Sequence, residues 1–526
     1  MSEITFNDLL KEDGPVALII KQPLAPVDSE NPVIFPPTYP LTKWNGRIHT
    51  IQDGEYRVSV ELPPDSKSDK SSTKGDQKSG YNIDRFPDGT NICEIDSPQS
   101  QSNRIEPKFK TIEKGKLVPQ VEIQVGKEKV NLLDVGHRAG DAVVRMSSIA
   151  AKIHEAFIAA KSHDFFKLAT IAPTSLVFGV WDSRSTYVKV QRVLKAQIRA
   201  TNVLELSRSA QFTPATNYVD AEAIGDDVEF GKGEESNLSQ EGMLHALSTQ
   251  AVGGVRLTNK SCLVRTVNLN LAAIRTLKGS TEEETKVLQK YILGLALVAA
   301  TDEPDLNLRE GCHLVFSLDK ISNDEEVKMN EASQLVYRSK MPINWSCNHE
   351  MALVFTDEAK KEFLKVAKIN EEQWNHPDII FERDVAENFL SRKKEERDKI
   401  RKLGPITKET LAKFDAQGKD PFKLVNEEIK KIKGAIGKKP GRGKPPLKQV
   451  EAFHEIAELL KLMAVDETMP ASVNEIAQEL QEIAGNHEDS HAAIKEIDEC
   501  IKKYKREVKS NSDSASDTEG SSEASQ

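Results

Sequence analysis

Five cysteines in 526 residues, no two of them spaced as C-x-x-C, leave the chain without a zinc ribbon or an evident disulfide framework. The odd, scattered set (Cys93, Cys262, Cys312, Cys347 and Cys500) fits a reducing compartment. No apolar run approaches the roughly 18–20 residues that span a bilayer, and Tyr291–Ala300 falls far short. The opening stretch, MSEITFNDLLKEDG, is acidic and lacks a signal-peptide core. Nucleotide and metal motifs are missing too. There is no G-x-x-x-x-G-K-[ST], no G-x-G-x-x-G after a strand, no H-E-x-x-H and no G-x-S-x-G elbow. These absences argue against a nucleotide-driven motor and against a zinc enzyme; no cofactor and no metal is expected.

What is present is charge, placed unevenly. The formal net charge is −10, with 29% charged and 38% hydrophobic residues, as in a soluble protein of more than one domain. An acidic balance excludes a general coat for DNA, so any nucleic-acid role must come from local charge. Residues 171–210 hold six Lys and Arg against two Asp and Glu, a local net of +4. Within them STYVKVQRVLKAQIRAT alternates with a period of two. Val190, Leu194, Ala196, Ile198 and Ala200 fall on one face; Lys189, Gln191, Lys195, Gln197 and Arg199 fall on the other. That pattern predicts a strand with a buried side and a wet, cationic side. The wet side reads either as a polyanion track or as solubilising edge protection.

Strands are also expected at 14–24, closed by Pro23, at 253–277 and at 311–318, with a hairpin at 47–61 through Asp53–Gly54. Pro32–Pro40 reads as a proline-rich connector. Helices are expected from Ser97, across 136–160 on the spacing of Val143, Ile149, Ile153 and Phe157, from Pro173, and at 281–300 behind the acidic start TEEE. Residues 65–80 are charged and low in complexity, and 208–248 form a long polar excursion. The first region, 1–356, is therefore mixed α+β with large insertions. A helical extension follows at 357–429. A basic Gly/Pro linker occupies 430–448; residues 391–450 hold 19 Lys and Arg against 8 Asp and Glu, net +11. A helical bundle is expected at 449–508 and a disordered acidic tail at 509–526.

Candidates for chemistry have bland counterparts. His137 and Asp141, four apart, form either an acid–base pair or an ion pair that orients Arg138 and Arg145. Asp182 in WDSR reads as a base or as a support for Arg184, and His245 is a lone histidine. Gly434–Ala435–Ile436–Gly437 has the form of a KH loop, but Pro440, Pro445 and Pro446 spoil the helix that should follow.

Eight stretches in one order carry a resemblance. They are FPPTYP (35–40), SPQSQSNRIE (97–106), HRAGDAVVR (137–145), PTSLVFGVWDSR (173–184), LSQEGMLHALS (238–248), GGVRL (253–257), LVRTVNLNLAAIR (263–275) and LNLREGCHLVF (306–316). Together they resemble the RAMP-superfamily backbone subunit of type I-U (also called I-G) CRISPR surveillance complexes, over roughly residues 14–320. The resemblance implies an RRM-like (ferredoxin-like) palm with large insertions, followed by the C-terminal α-helical region and tail. It implies a non-catalytic scaffold in the prokaryotic cytoplasm, away from membranes. Copies would stack along CRISPR RNA and hold it for pairing with target DNA, beside other surveillance-complex subunits and a recruited helicase–nuclease. The inserted thumb of such subunits would correspond to 208–248 or to 65–80. The C-terminal helices read either as a fused small-subunit-like bundle on DNA or as a lineage-specific appendage.

A scaffold that accepts any guide should hold phosphates and 2′-hydroxyls and leave base edges to Watson–Crick pairing. The residues suited to that are Ser102, Asn103, Arg104, His137, Arg138, Arg145, Trp181, Ser183, Arg184, Lys195, Arg199, His245, Gly253, Gly254 and Arg256. Arginine suits it best, because its planar fork grips phosphate at two points. The alternative within the superfamily is a metal-independent endoribonuclease using His137 or His245. A third reading, an assembly protein whose basic patches bind acidic partners, predicts no RNA on the purified protein.

Overall fold

The computed structural model describes residues 4–40, 47–52, 55–60, 79–218, 220–224, 238, 241–317, 333–416, 478 and 502–503. They form a mixed α+β protein whose described sheets are antiparallel where register is given. The strands that matter below are β1 (Ala17–Pro26), β2 (Asn91–Asp96), β3 (Leu194–Thr201), β4 (Leu204–Phe212), β5 (Ala246–Arg256), β6 (Cys262–Asn270), β7 (Cys312–Phe316) and β8 (Ser333–Val336). The helices beside them are α1 (Pro98–Ile105), α2 (Thr174–Phe178), α3 (Glu282–Thr301) and α4 (His349–Ala367).

Side by side the main sheet runs β7, β1, β6, β3, β2, extended by Asn307–Arg309 outside β7 and Ile83–Arg85 outside β2. Alternation decides which way it faces. Leu18 and Ile20 of β1, Leu194, Ala196 and Ile198 of β3, and Leu263, Val267 and Leu269 of β6 are all buried. Helices α1, α2 and α3 pack against this sheet. Each fully buried Leu or Ile contributes on the order of 1.5–3 kcal/mol, so this packing carries much of the stability.

Pro23 does not end the first strand. β1 pairs with β8 through Ala17–Ile20 and with β7 through Leu24–Pro26, with Pro23 between the two partners. Its missing N–H costs nothing there, while its carbonyl accepts from Ser317 N at 3.0 Å. The long helix expected across 136–160 is interrupted. A short turn at Arg138–Gly140 and a four-residue helix at Ala142–Arg145 precede Ala150–Lys161. The break falls at Ser147–Ser148, where Ser148 N donates to Ile380 O at 2.8 Å and Ser147 bridges to Phe381.

The hairpin expected at 47–61 is present as Arg47–Gln52 paired with Glu55–Val60, its turn lying outside the described residues. The polar excursion begins and ends as paired strand rather than loop. β4 and β5 form a two-stranded ribbon, bulged twice, whose base is joined by Val33–Ile34. Gly254, at φ +94°, lies against Val33, Ile34 and Phe35 and donates to the Tyr81 hydroxyl at 3.0 Å.

The chain divides into two compact units, one of residues 1–141, 156–183 and 187–379, the other of 142–155, 184–186 and 380–526. The expected boundary at 356/357 instead falls inside α4. In the second unit α5 (Arg383–Leu390), α6 (Lys394–Leu403) and α7 (Lys408–Ala416) follow one another. Met146, Val385, Ala386, Phe389, Ile400, Ile406 and Leu411 make its core. Arg392 grips Asp415 at two points, 2.6 and 2.8 Å. Residues 65–78 of the low-complexity stretch, the basic linker, nearly all of the 449–508 region and the tail lie outside the described residues.

Helix α3 starts at Thr281, whose hydroxyl accepts from Glu284 N at 3.1 Å, with three glutamates in the first turn. Midway, Gly294 lies against α4, where an added Cβ would sit 2.7 Å from Thr356 Oγ1 and 3.0 Å from its Cα. Helix propensity alone makes Ala better than Gly by about 1 kcal/mol. Gly294→Ala is nonetheless expected to lower stability by about 1–3 kcal/mol through overpacking. Urea unfolding followed by circular dichroism measures it, and a higher midpoint would show that the helices can separate freely.

Candidate nucleic-acid interface

The face of the sheet opposite the buried side chains is built from three cross-strand rows. Lys195 of β3 faces Asn268 of β6, which faces Ile19 of β1, which faces Gln334 of β8. One step along, Gln197 faces Thr266, which faces Lys21. Next, Glu94 of β2 faces Arg199, which faces Val264 and then Pro23. Lys21, Lys195, Arg199, Asn268 and Gln334 are exposed. Among the described residues Lys21, Lys195 and Arg199 form no ion pair. The alternation predicted for β3 is therefore present, with its inward residues buried. The neighbouring segment departs from it: Lys189–Val190 belongs to a separate hairpin with Val180–Trp181.

Beneath this face lies a polar network. Arg265 sits in β6 among apolar neighbours and is 0% exposed. Its Nε donates to Gln101 Oε1 at 3.0 Å and its Nη1 to Gln22 Oε1 at 2.6 Å. Gln101 Nε2 donates onward to Asp96 Oδ2 at 2.7 Å. Burial pulls the Arg265 guanidinium down to about 10, which leaves it charged near neutral pH. Arg104 closes the network: it is ion-paired with Asp96 at 3.4 Å and with Asp305 at 3.7 Å and donates to Leu308 O at 2.7 Å.

Several residues expected at RNA are thus committed elsewhere. Arg104 serves the network just described. Ser102 is buried, its hydroxyl donating to Pro98 O within α1. Arg138 is 3% exposed, at φ +52°, and ion-paired with buried Glu106 at 2.6 Å, its guanidinium over the Phe178 ring. It is a core residue; His137 and Asp141 are themselves ion-paired at 3.5 Å. Gly253 and Gly254 are buried at the ribbon base, where Gly253 touches the Leu206 backbone. Burial leaves none of Ser102, Arg138, Gly253 and Gly254 a surface to offer a ligand.

The others are accessible. Arg256 is exposed and lines a groove of about 700 Å³ with Leu24, Thr258, Asn259, Ser261 and Leu263. His245 is exposed near the end of the ribbon, its Nδ1 3.1 Å from Thr213 Oγ1. Asn103, His137 and Trp181 are exposed and Ser183 half-buried. Arg145, half-buried, and Arg184, exposed, belong to the second unit. Lys21, Thr266, Asn268 and Gln334 were missed by sequence reading. Period-two alternation of Thr266, Asn268 and Asn270 against Val267 and Leu269 was the available signal.

Among the described residues no group of His, Cys, Asp or Glu could hold a metal ion, and no helix is long and apolar enough to cross a membrane. Residues 18–205 match the family model described as CRISPR-associated protein GSU0053 (Cas_GSU0053), 188 of the 526 residues. No curated protein matches the chain. The family match supports a CRISPR-associated protein. It takes in β1, β2, α1, α2 and β3 and ends as the ribbon begins.

Because Arg138 and Glu106 are buried together, Arg138→Ala leaves the Glu106 carboxyl without its partner, protonated, and is expected to destabilise by about 1–3 kcal/mol. Arg199→Ala, on the exposed face, should leave the unfolding midpoint unchanged. Burial pushes the Glu106 carboxyl up from 4.5 to about 7, against the opposing pull of Arg138 and Thr174. The folded state then holds the extra proton between those values, so this group's contribution to stability falls as pH rises across that window. Glu106→Gln should remove that slope, and denaturant unfolding at pH 5, 6 and 7 reads it.

Proposed function

We propose that this protein is a non-catalytic scaffold that lies along CRISPR RNA in several copies and holds it by sugar and phosphate for target recognition in antiviral defence. One observation carries the reading: the open sheet face presents unpaired Lys21, Lys195 and Arg199 among amides and hydroxyls. The sheet order supports the ferredoxin-like palm. Taking β1, β3, β6 and β7 as the four strands, with helices before β3 and after β6, the order 7-1-6-3 is the 4-1-3-2 of a βαββαβ unit. In RRM domains that face carries aromatic rings that read bases. Here it carries none among the rows described, which suits backbone contacts to any sequence. Strand β4, exposed at most of its described positions, favours the 208–248 excursion as the thumb.

Repetition along one RNA would multiply weak contacts into a tight assembly. The other partners, target DNA through the guide, neighbouring subunits and a helicase–nuclease, belong to this same reading. An endoribonuclease has one observation in its favour, His137 with its side chain 84% exposed beside Asp141. Incubation of the pure protein with repeat RNA should yield no defined product; cleavage abolished by His137→Ala would establish the enzyme instead.

Lys195→Ala and Arg199→Ala should each weaken binding of single-stranded RNA about equally for all sequences. The slope of log affinity against log salt should flatten by about 0.7 per lost contact. Fluorescence anisotropy with homopolymeric and mixed oligoribonucleotides checks this. An effect confined to one base composition would contradict a sugar–phosphate grip.

A further inference from the structure

Outside the open face, one cluster of exposed side chains has a different chemistry. Val180–Trp181 pairs with Lys189–Val190, and Asp182 N donates to Val188 O at 3.0 Å, so the backbone of a short hairpin is fixed. Trp181 is nevertheless 56% exposed. Lys189 Nζ lies 5.6 Å from its ring centroid, over one face, which leaves the rest of the indole surface for a planar partner. Tyr187, on the same hairpin, is 70% exposed and held at φ +60°, a left-handed conformation that a bulky residue adopts at a cost. Large rings are normally buried, and two exposed on one braced hairpin form a surface feature rather than scatter.

The surroundings are polar and cationic. The Trp181 carbonyl lies against Gly140, where an added Cβ would approach it to 3.0 Å, so the His137–Gly140 turn borders the hairpin. Gln99 Nε2 donates to Gly136 O at 3.2 Å and to Asn103 Oδ1 at 3.0 Å, and Arg192 Nη2 donates to Gln99 Oε1 at 3.1 Å. Lys189 is thus beside the ring itself, while Gln99 links Asn103, Gly136 and Arg192 into one polar cluster whose His137–Gly140 turn meets the hairpin backbone.

We propose that Trp181 is a stacking platform for one base of single-stranded RNA, with Lys189 and Arg192 taking the flanking phosphates. This rests on the RNA-scaffold reading and adds to it a point where the chain grips a base. Stacking tolerates any sequence, because every base has a π-face, so it is compatible with a scaffold that accepts any guide. Cation and aromatic ring together are the arrangement that holds unpaired strands.

The test uses the full-length protein and a mixed-sequence single-stranded oligoribonucleotide, beside a base-free ribose–phosphate chain of the same length. Trp181→Ala should lower affinity for the oligoribonucleotide about tenfold and Trp181→Phe much less, while both bind the base-free chain as the unaltered protein does. RNA should quench tryptophan fluorescence in the unaltered protein and lose most of that quenching in Trp181→Phe. Of the other three tryptophans, Trp374 is buried, Trp345 is half-buried and Trp44 lies outside the described residues, so Trp44→Phe serves as the background for the quenching comparison. Unchanged affinity in Trp181→Ala, or full quenching in Trp181→Phe, with RNA still bound, would overturn the platform alone. No binding of any RNA by the unaltered protein would overturn the scaffold reading and the platform with it.

Discussion

A pleated sheet has two faces, and this one buries its large apolar side chains mainly on a single side. Leu18, Ile20, Leu194, Ala196, Ile198, Val267 and Leu269 are buried, with α1, α2 and α3 packed on the sheet. Everything else follows from that asymmetry. The opposite face carries Lys21, Lys195, Gln197, Arg199, Thr266, Asn268 and Gln334, with Glu94, Ile19, Val264 and Pro23 between them, and its cations and amides are of the kinds that contact a sugar–phosphate chain. Hydrophobic burial thus positions the cations by exclusion, without spending any of them on the core.

The exception is instructive. Arg265 stands on the apolar side of β6, where burial would be costly without partners, and Gln101, Gln22 and the Asp96–Arg104 pair supply the surrounding hydrogen bonds and charge. Because these groups come from β1, β2, α1 and β6, the network ties the first helix to the middle of the sheet. Arg138 with Glu106 repeats the arrangement near Phe178. Arginine is therefore used in two ways here: Arg138 and Arg265 are built into the fold, and Arg199 stands exposed.

That division explains how much could be read from the sequence. Period-two alternation made β3 legible, since inward and outward residues differ in type at every step from Leu194 to Arg199. The helix at 281–300 was legible from its acidic cap, and the mixed α+β class from the sequence of elements. The fate of Arg138 was not legible, because Glu106 lies 32 positions away and only the fold brings them together. Arg104 was hidden for the same reason, Asp305 and Leu308 being distant in the chain. The break at Ser147–Ser148 came from pairing with Ile380 and Phe381, which no local periodicity encodes. Proximity of sequence neighbours is a weak guide to where a long, flexible cation ends.

The central claim is that the open sheet face holds RNA by its backbone, with several copies on one strand. The most direct measurement is to express the full chain with its CRISPR RNA, purify it at low salt, and resolve any bound nucleic acid on a denaturing gel with nuclease controls. The account predicts RNA of uniform length, sensitive to ribonuclease and released as salt is raised. Protein free of RNA, which also fails to bind added single-stranded RNA at low salt, would contradict it.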